Sequence, residues 1–168
     1  TPRATRGHNK LTVSYPSLSD RDSSQERLLD PHSLVNTGLR WHVRAYSEET
    51  YDFRDFVLSR FVKANCLEEL AESNQQYDDD WVESVTLRLS PHPKLDARKQ
   101  ASLLLDFGAE LKDGDNEIAI TVRRALIAYV LQRLGVDTSD AHSMTPQAYQ
   151  LVQLNRDEIE PFASWVFQ

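Results

Sequence analysis

The sequence predicts an α+β protein made of two modules in series, and three observations carry that reading. Between residues 11 and 61, short stretches of alternating apolar and polar residues are separated by clusters of Asn, Gly, Ser and Pro, the pattern of short strands and tight turns. Residues 67 to 80 lose that pattern in a polar, acidic run. Beyond it the chain reads as strand, helix, strand, helix, which is the order of a second α+β module.

In the first module, "LTVSY" (11 to 15) alternates apolar Leu11, Val13 and Tyr15 with Thr12 and Ser14, as a half-buried strand does. "PSLSDRDSSQE" (16 to 26) has the Pro, Ser and Asp density of a hairpin loop. "RLLDPHSLV" (27 to 35) returns to an apolar pattern broken at Pro31, which reads as an edge strand or a bend. "NTG" and "SEET" are turns on either side of "LRWHVRAY" (39 to 46), and "YDFRDFVLSRF" (51 to 61) is the last strand. Four or five short strands in about 55 residues suggest a small barrel or a strongly bent sheet.

A helical turn or two, then an acidic linker, is expected across "LEELAESNQQYDDD" (67 to 80). "SVTLRLS" (84 to 90) is a fresh strand, "LDARKQASLLLDFG" (95 to 108) a helix stopped by Gly108, and "NEIAITV" (116 to 122) another strand. "RRALIAYVLQRLG" (123 to 135) sets Leu126, Ile127, Val130, Leu131 and Leu134 on one helical face and stops at Gly135. Residues 144 to 167 read either as a strand at 149 to 154 or as short helices. The expected division is 1–65, a linker at 66–82, and 83–168.

Composition narrows the function classes. With 168 residues, 40% hydrophobic and 27% charged, the chain suits one ordinary domain or two small ones. It contains neither an apolar run of membrane-spanning length nor a secretion signal, so a cytoplasmic protein without membrane contact is expected. The single Cys66 excludes an internal disulfide framework and a cysteine-based zinc site. Because the first residue is Thr1 rather than methionine, a part of a longer protein or a processed form is expected. The formal charge is −7, but residues 1 to 65 hold ten Lys/Arg against eight Asp/Glu, and the remainder nine against eighteen. The cations belong to the first half, which is where an anionic ligand would be met.

Side chains of equal parity share a face of a strand. In "LRWHVRAY" that puts Leu39, Trp41, Val43 and Ala45 on an apolar face and Arg40, His42, Arg44 and Tyr46 on a cationic, aromatic one. The second set suits a phosphate-bearing or base-bearing ligand. The plainer alternative pairs these arginines with carboxylates such as Asp52, Asp55 or Glu48, and by composition alone it stands somewhat ahead. In "FRDFVLSRF" the equal-parity set Arg54, Phe56, Leu58 and Arg60 mixes cations with an apolar pair. Spacings for a metal site, a dinucleotide loop, a P-loop or a nucleophile elbow are absent, so no metal, no cofactor and no enzyme activity are expected. The carboxylates of "YDDDW" (77 to 81) could hold Mg²⁺ but read first as a solvated acidic patch.

The order of motifs resembles a WYL domain, the ligand-sensing module of bacterial transcription regulators. Tyr15-Pro-Ser17, Arg27 with Asp30-Pro31, "WHVRAY" and "RDFVLSR" stand in that family's order over about fifty residues. The three letters that name the family read Trp41-His42-Val43, with His for Tyr and Val for Leu, and His42 introduces a group that titrates near neutral pH. The bend at Asp30-Pro31-His32 together with "WHVRAY" and "FRDFVLSRF" most resembles the WYL regulators encoded beside phage-defence systems. "VTLRLSPHP", "DFGAEL" and "VRRALIAYVLQRLGVD" resemble the C-terminal dimerisation extension of that group.

The resemblance implies an Sm-like or SH3-like small β-barrel followed by a βαβα-like domain, a homodimer, and an N-terminal winged helix-turn-helix for DNA outside these residues. It also implies a pocket for a nucleotide or short oligonucleotide effector drawn from Tyr15, Ser17, His32, His42, Arg44, Tyr46, Arg54 and Arg60. The leading reading is the sensing and dimerisation portion of a transcriptional repressor of a phage-defence operon. A single-strand nucleic-acid or protein interaction module without a regulatory role is the runner-up, and a nucleotide-processing enzyme built on "YDDDW" comes third. Trp165, Val166 and Phe167 are expected to dock, either in a dimer or within their own chain.

Overall fold

A computed structural model describes residues 1–16, 24–108 and 117–167, without the side chains of residues 24 and 25. The chain has mixed α+β architecture and divides into two compact units, Thr1–Asp79 and Asp80–Gln168.

The first unit opens with a short helix, α1 (Pro2–Gly7), which the sequence did not announce and which seats Ala4 in the core. Five strands follow: β1 (Asn9–Pro16), β2 (Ser24–Asn36), β3 (Trp41–Ser47), β4 (Asp52–Val57) and β5 (Lys63–Leu70). They form one antiparallel sheet in the order β4-β3-β2-β1-β5. The sheet is barrel-like in its meander, and among the described residues no ladder closes β4 onto β5. Leu11, Val13, Leu29, Val43, Ala45 and Phe56 form the core, so the alternation read from β1 and β3 sorts inside from outside in their central residues. It fails at the start of β3, where Leu39 and Trp41 are exposed.

β2 and β3 part from simple pairing once. Asp30 faces Tyr46 and Pro31 faces Ala45, but Ser33 is the residue opposite Arg44, so His32 is an extra residue in a bulge. A bulge beside a proline re-aims a side chain, and His32 is the one re-aimed. β4 stops at Val57, and Leu58–Arg60 forms a 3₁₀ turn in place of the expected continuation of the strand.

The segment expected to be a helical turn and linker, 66–82, behaves differently. Its first residues belong to β5, which pairs with β1. An exposed edge strand is held by backbone ladder bonds rather than by burial, so "KANCLEEL" shows no apolar alternation to read. Residues 71–79 then continue as part of the first unit, with a 3₁₀ turn at Gln75–Tyr77 capped by Asn74.

A helix of one turn, α2 (Asp79–Val82), leads into the second unit. There β6 (Ser84–Pro91), α3 (Ala97–Asp106), β7 (Ile118–Arg123), α4 (Ile127–Arg133), β8 (Val136–Asp137), β9 (Leu151–Gln153) and α5 (Arg156–Ala163) follow. The sheet order is β7-β6-β9-β8, antiparallel except for the β8–β9 pair. Gly135 ends α4 with φ 61°, and a Cβ there would stand 2.9 Å from the Ala148 carbonyl oxygen, so both conformation and space call for glycine. Residues 144–167 hold both alternatives read from sequence, a strand and a helix. Val166 and Phe167 pack on this unit's own core, while Trp165 stays half exposed against Tyr129.

Leu87, Leu89, Ile127, Leu131, Leu151 and Ile159 are the fully buried apolar centre of the second unit. Leu89→Ala is expected to destabilise it by about 2–5 kcal/mol, read as a lowered urea midpoint.

Candidate functional site

On the face of the first sheet opposite its core, the register brings one row of side chains together across the strands. Asp30 of β2 pairs with Tyr46 of β3, which pairs with Phe53 of β4. In the next row Ser33, Arg44 and Asp55 align, and His32 reaches the same place from its bulge. Segment 71–78 lies across this face as a strap tied at both ends, and the Ala71 amide at its start donates to the His8 carbonyl at 2.8 Å. At one end the Glu72 and Ser73 amides donate to Asp30 Oδ2 at 3.1 and 2.9 Å. At the other, Asp78 is received by Arg44 and His32.

The second attachment is the strongest polar feature of the unit. Arg44 Nε donates to Asp78 Oδ2 at 2.7 Å and Nη2 donates to Oδ1 at 2.9 Å, the forked geometry that matches guanidinium to carboxylate. His32 Nε2 lies 3.0 Å from Oδ2, and since a carboxylate only accepts, Nε2 carries the proton. His32 Nδ1 faces the Ser33 hydroxyl at 2.8 Å, which holds the ring in place. Arg44 Nη1 adds a 3.4 Å bond to Asp55. Asp78 is only 2% exposed and Arg44 7%. Burial pushes the Asp78 carboxyl up, but the bonds from His32 and Arg44 together with their charge outweigh it and hold the group at about 2.

Between the attachments is a cavity of about 520 Å³. Tyr46, Tyr51, Phe53 and Tyr77 supply rings to its wall, and Asp30, Glu48, Glu72 and Ser73 supply polar groups. The Phe53 ring meets Tyr46 edge-on at 5.3 Å and His32 at 5.5 Å, so a ring of the cavity wall packs against the histidine that holds Asp78. Lys10, 3% exposed, donates to Glu48 and lies 3.6 Å from Glu72. The Glu48 bond raises its pKa against burial. Burial raises the Asp30 carboxyl, opposed by the Ser73 and Glu72 amides and by Lys10. Asp30 is 1% exposed, and its Oδ1 accepts no hydrogen bond among the described residues.

The structure divides the eight residues expected to line one pocket. His32, Arg44 and Tyr46 come together on the polar face. His42 shares it one row on, but burial, with Arg40 and Arg60 adding to it against Asp55, lowers its pKa below the ordinary histidine value and keeps it neutral at pH 7. Tyr15 lies on the opposite, core face, edge-on to Phe56 and Phe61, and its hydroxyl accepts from the Val57 amide. Arg54 shares the parity of Phe56, is half exposed and pairs with Asp52. Arg60 sits in the 3₁₀ turn after β4. Ser17 lies outside the described residues. Of the carboxylates expected to pair with strand arginines, Asp55 meets Arg44 at 3.4 Å and Asp52 pairs with Arg54, but the chief partner of Arg44 is Asp78, which was not among them. Sequence reasoning missed Asp78, Tyr77 and Glu72 as parts of this face because they arrive from about thirty residues beyond Arg44, with no local periodicity to mark them.

With this geometry in view, two domain matches account for most of the chain. Residues 2–66 match the WYL domain, and residues 84–159 match the BrxR transcriptional regulator C-terminal dimerization domain. Over these spans the chain carries a WYL domain followed by a BrxR-type C-terminal dimerization domain. It is 38% identical over 160 residues to the DNA-binding transcriptional repressor CapW of Pseudomonas aeruginosa, a match that covers 94% of this chain and 50% of the relative. It is 35% identical over 159 residues to CapW of Escherichia coli and 33% over 158 to CapW of Stenotrophomonas maltophilia, with 94% of this chain and 50% and 51% of the relatives covered. The chain therefore spans about half the length of the curated relatives it matches. The WYL match ends at Cys66, so the strap and Asp78 lie beyond it, between the two matched domains.

Arg44→Ala strands the buried Asp78 carboxylate and is expected to cost about 3–5 kcal/mol in urea unfolding. The acid response follows from the depressed pKa. Above the ordinary carboxyl value of 3.8 the Asp78 contribution is complete, and it is lost as pH falls through about 2. Urea melts over that range are expected to show a smaller acid loss in Asp78→Asn than in the native chain, the lowered carboxyls of Asp52 and Asp137 contributing to both.

Proposed function

We propose that these residues form the effector-sensing and dimerisation portion of a DNA-binding transcriptional repressor that controls a phage-defence operon. The effector is a nucleotide or a short oligonucleotide. DNA reading belongs to the part of the regulator that these 168 residues do not span, and the second unit joins two copies.

One observation carries the effector reading: a buried arginine fork and a histidine N–H converge on a single anion beside an aromatic-walled cavity. Forked guanidinium donors suit phosphate oxygens as well as carboxylate oxygens, and aromatic walls suit a base. Charge fixes the orientation. Asp30, Glu48 and Glu72 in the cavity repel phosphate, so the base occupies the cavity and the phosphate meets Arg44 and His32. Asp30 Oδ1 is then an acceptor for an amino group on the base.

Titration of the chain with 5′-phosphorylated short oligoadenylates and with adenosine monophosphate across a salt series tests this. Saturable binding that weakens with salt and is lost in Arg44→Ala and His32→Ala variants that remain folded is the expected result, and its absence in a folded native chain contradicts the effector reading. Sedimentation velocity at micromolar concentration is expected to show a dimer, and a monomer would remove the joining role from the second unit.

A further inference from the structure

We propose that Asp78 is a built-in occupant of the effector's phosphate site, and that the effector binds by exchanging its phosphate for this carboxylate, which releases the strap at 71–78. This rests on the effector reading above and adds how that site is regulated.

Three features point to exchange rather than to a plain structural bond. First, the cradle is complete in chemistry for an external anion: Arg44 contributes Nε and Nη2, His32 contributes Nε2, and all three bonds end on one carboxylate. A phosphate offers the same fork with an additional oxygen and more charge. Second, Asp78 comes from a short strap rather than from the sheet. The strap's other end is held by the Glu72 and Ser73 amides on Asp30 Oδ2, by the Ala71 amide on the His8 carbonyl and by Lys10 beside Glu72, and between the two ends lies the cavity that the base would enter. Third, Asp30 Oδ1 is buried at the cavity with no hydrogen bond among the described residues. That points to a donor-bearing ligand there, independently of Asp78, because buried oxygens are normally paired.

The energetics set which ligands succeed. A carboxylate tethered by a short segment competes at an effective concentration on the order of millimolar or above. Bare phosphate therefore gains little against it, whereas a nucleotide that also fills the cavity gains stacking of about 1–3 kcal/mol per base. The requirement for both contacts makes the strap a filter against free inorganic anions. Two residues past Asp78 the chain enters the second unit, so the released strap is the covalent link from sensor to dimerisation unit. No bond is made or broken covalently.

The test compares the native chain with Asp78→Asn, using adenosine monophosphate, a 5′-phosphorylated oligoadenylate and inorganic pyrophosphate as probes. Removing the internal competitor is expected to tighten binding of all three by a similar factor of about tenfold or more, because apparent affinity scales with the fraction of open site. In the native chain, saturating nucleotide is expected to speed amide hydrogen exchange across 72–78. Equal affinities in the two proteins, with native exchange unchanged at saturation, would overturn the exchange while leaving the effector reading standing. Absence of binding in both folded proteins would overturn both. Should Asp78→Asn fail to fold, the exchange measurement on the native chain decides alone: nucleotide bound with 72–78 still protected refutes the proposal.

Discussion

The Asp78 end of the polar face of the first unit is organised by one buried cation. Arg44 stands at the middle of β3, with core residues Val43 and Ala45 on either side of it in sequence and little contact with solvent. A guanidinium in that position is tolerable only if nearly all of its donors are answered, since an unpaired buried charge costs several kcal/mol. Asp55, directly across on β4, answers one donor at long range. The others need a second carboxylate, and the sheet does not offer one. The chain supplies it by bringing residues 71–78 back over the face, which explains why a segment with almost no apolar residues is held in place at all.

That solution has a consequence for the cavity. Tyr46 and Phe53 of the sheet and Tyr77 of the strap itself line the space between the strap's two ends. A space with aromatic walls and an acidic lining is left beneath a short, polar segment. Buried ion pairs are seldom the most stabilising choice at a position, and apolar substitutes of similar volume often do as well. A pair retained under such a strap is better explained by a need for specificity or exchange than by stability. The paired carboxylate also reconciles two readings that stood as rivals on sequence grounds, solvated or paired arginines against a ligand site: Arg44 is paired, and the pairing itself has the shape of an anion site.

Much of the fold was legible because local periodicity and turn chemistry agree with the tertiary structure in β1, β3, β6, β7, α3 and α4. Gly135 marked the end of a helix for the physical reason that the structure confirms. β5 was illegible because an edge strand is defined by its ladder and not by burial. The Trp41 side of β3 was misread because parity assigns faces but does not say where along the strand the neighbours stop. In the site, parity correctly grouped His42, Arg44 and Tyr46, and the bulge at Pro31 brought His32 to them. The same parity rule separates Tyr15 and Arg54 from that group, which a motif read along the chain cannot express. Asp78 could not be found locally: three aspartates in a row look alike, and only the reach of the strap decides which of them is buried.

Arg44 and Asp78 are energetically coupled, not merely adjacent. A double-mutant cycle with Arg44→Met and Asp78→Leu, measured by urea unfolding, tests it most directly. Each single change leaves a buried charge unanswered, whereas the double change removes both. The expected result is a coupling above about 1 kcal/mol, with the double variant more stable than at least one of the single variants. Additive losses, with coupling near zero, would mean that the fork is a surface contact of little weight and that the strap is held by something else.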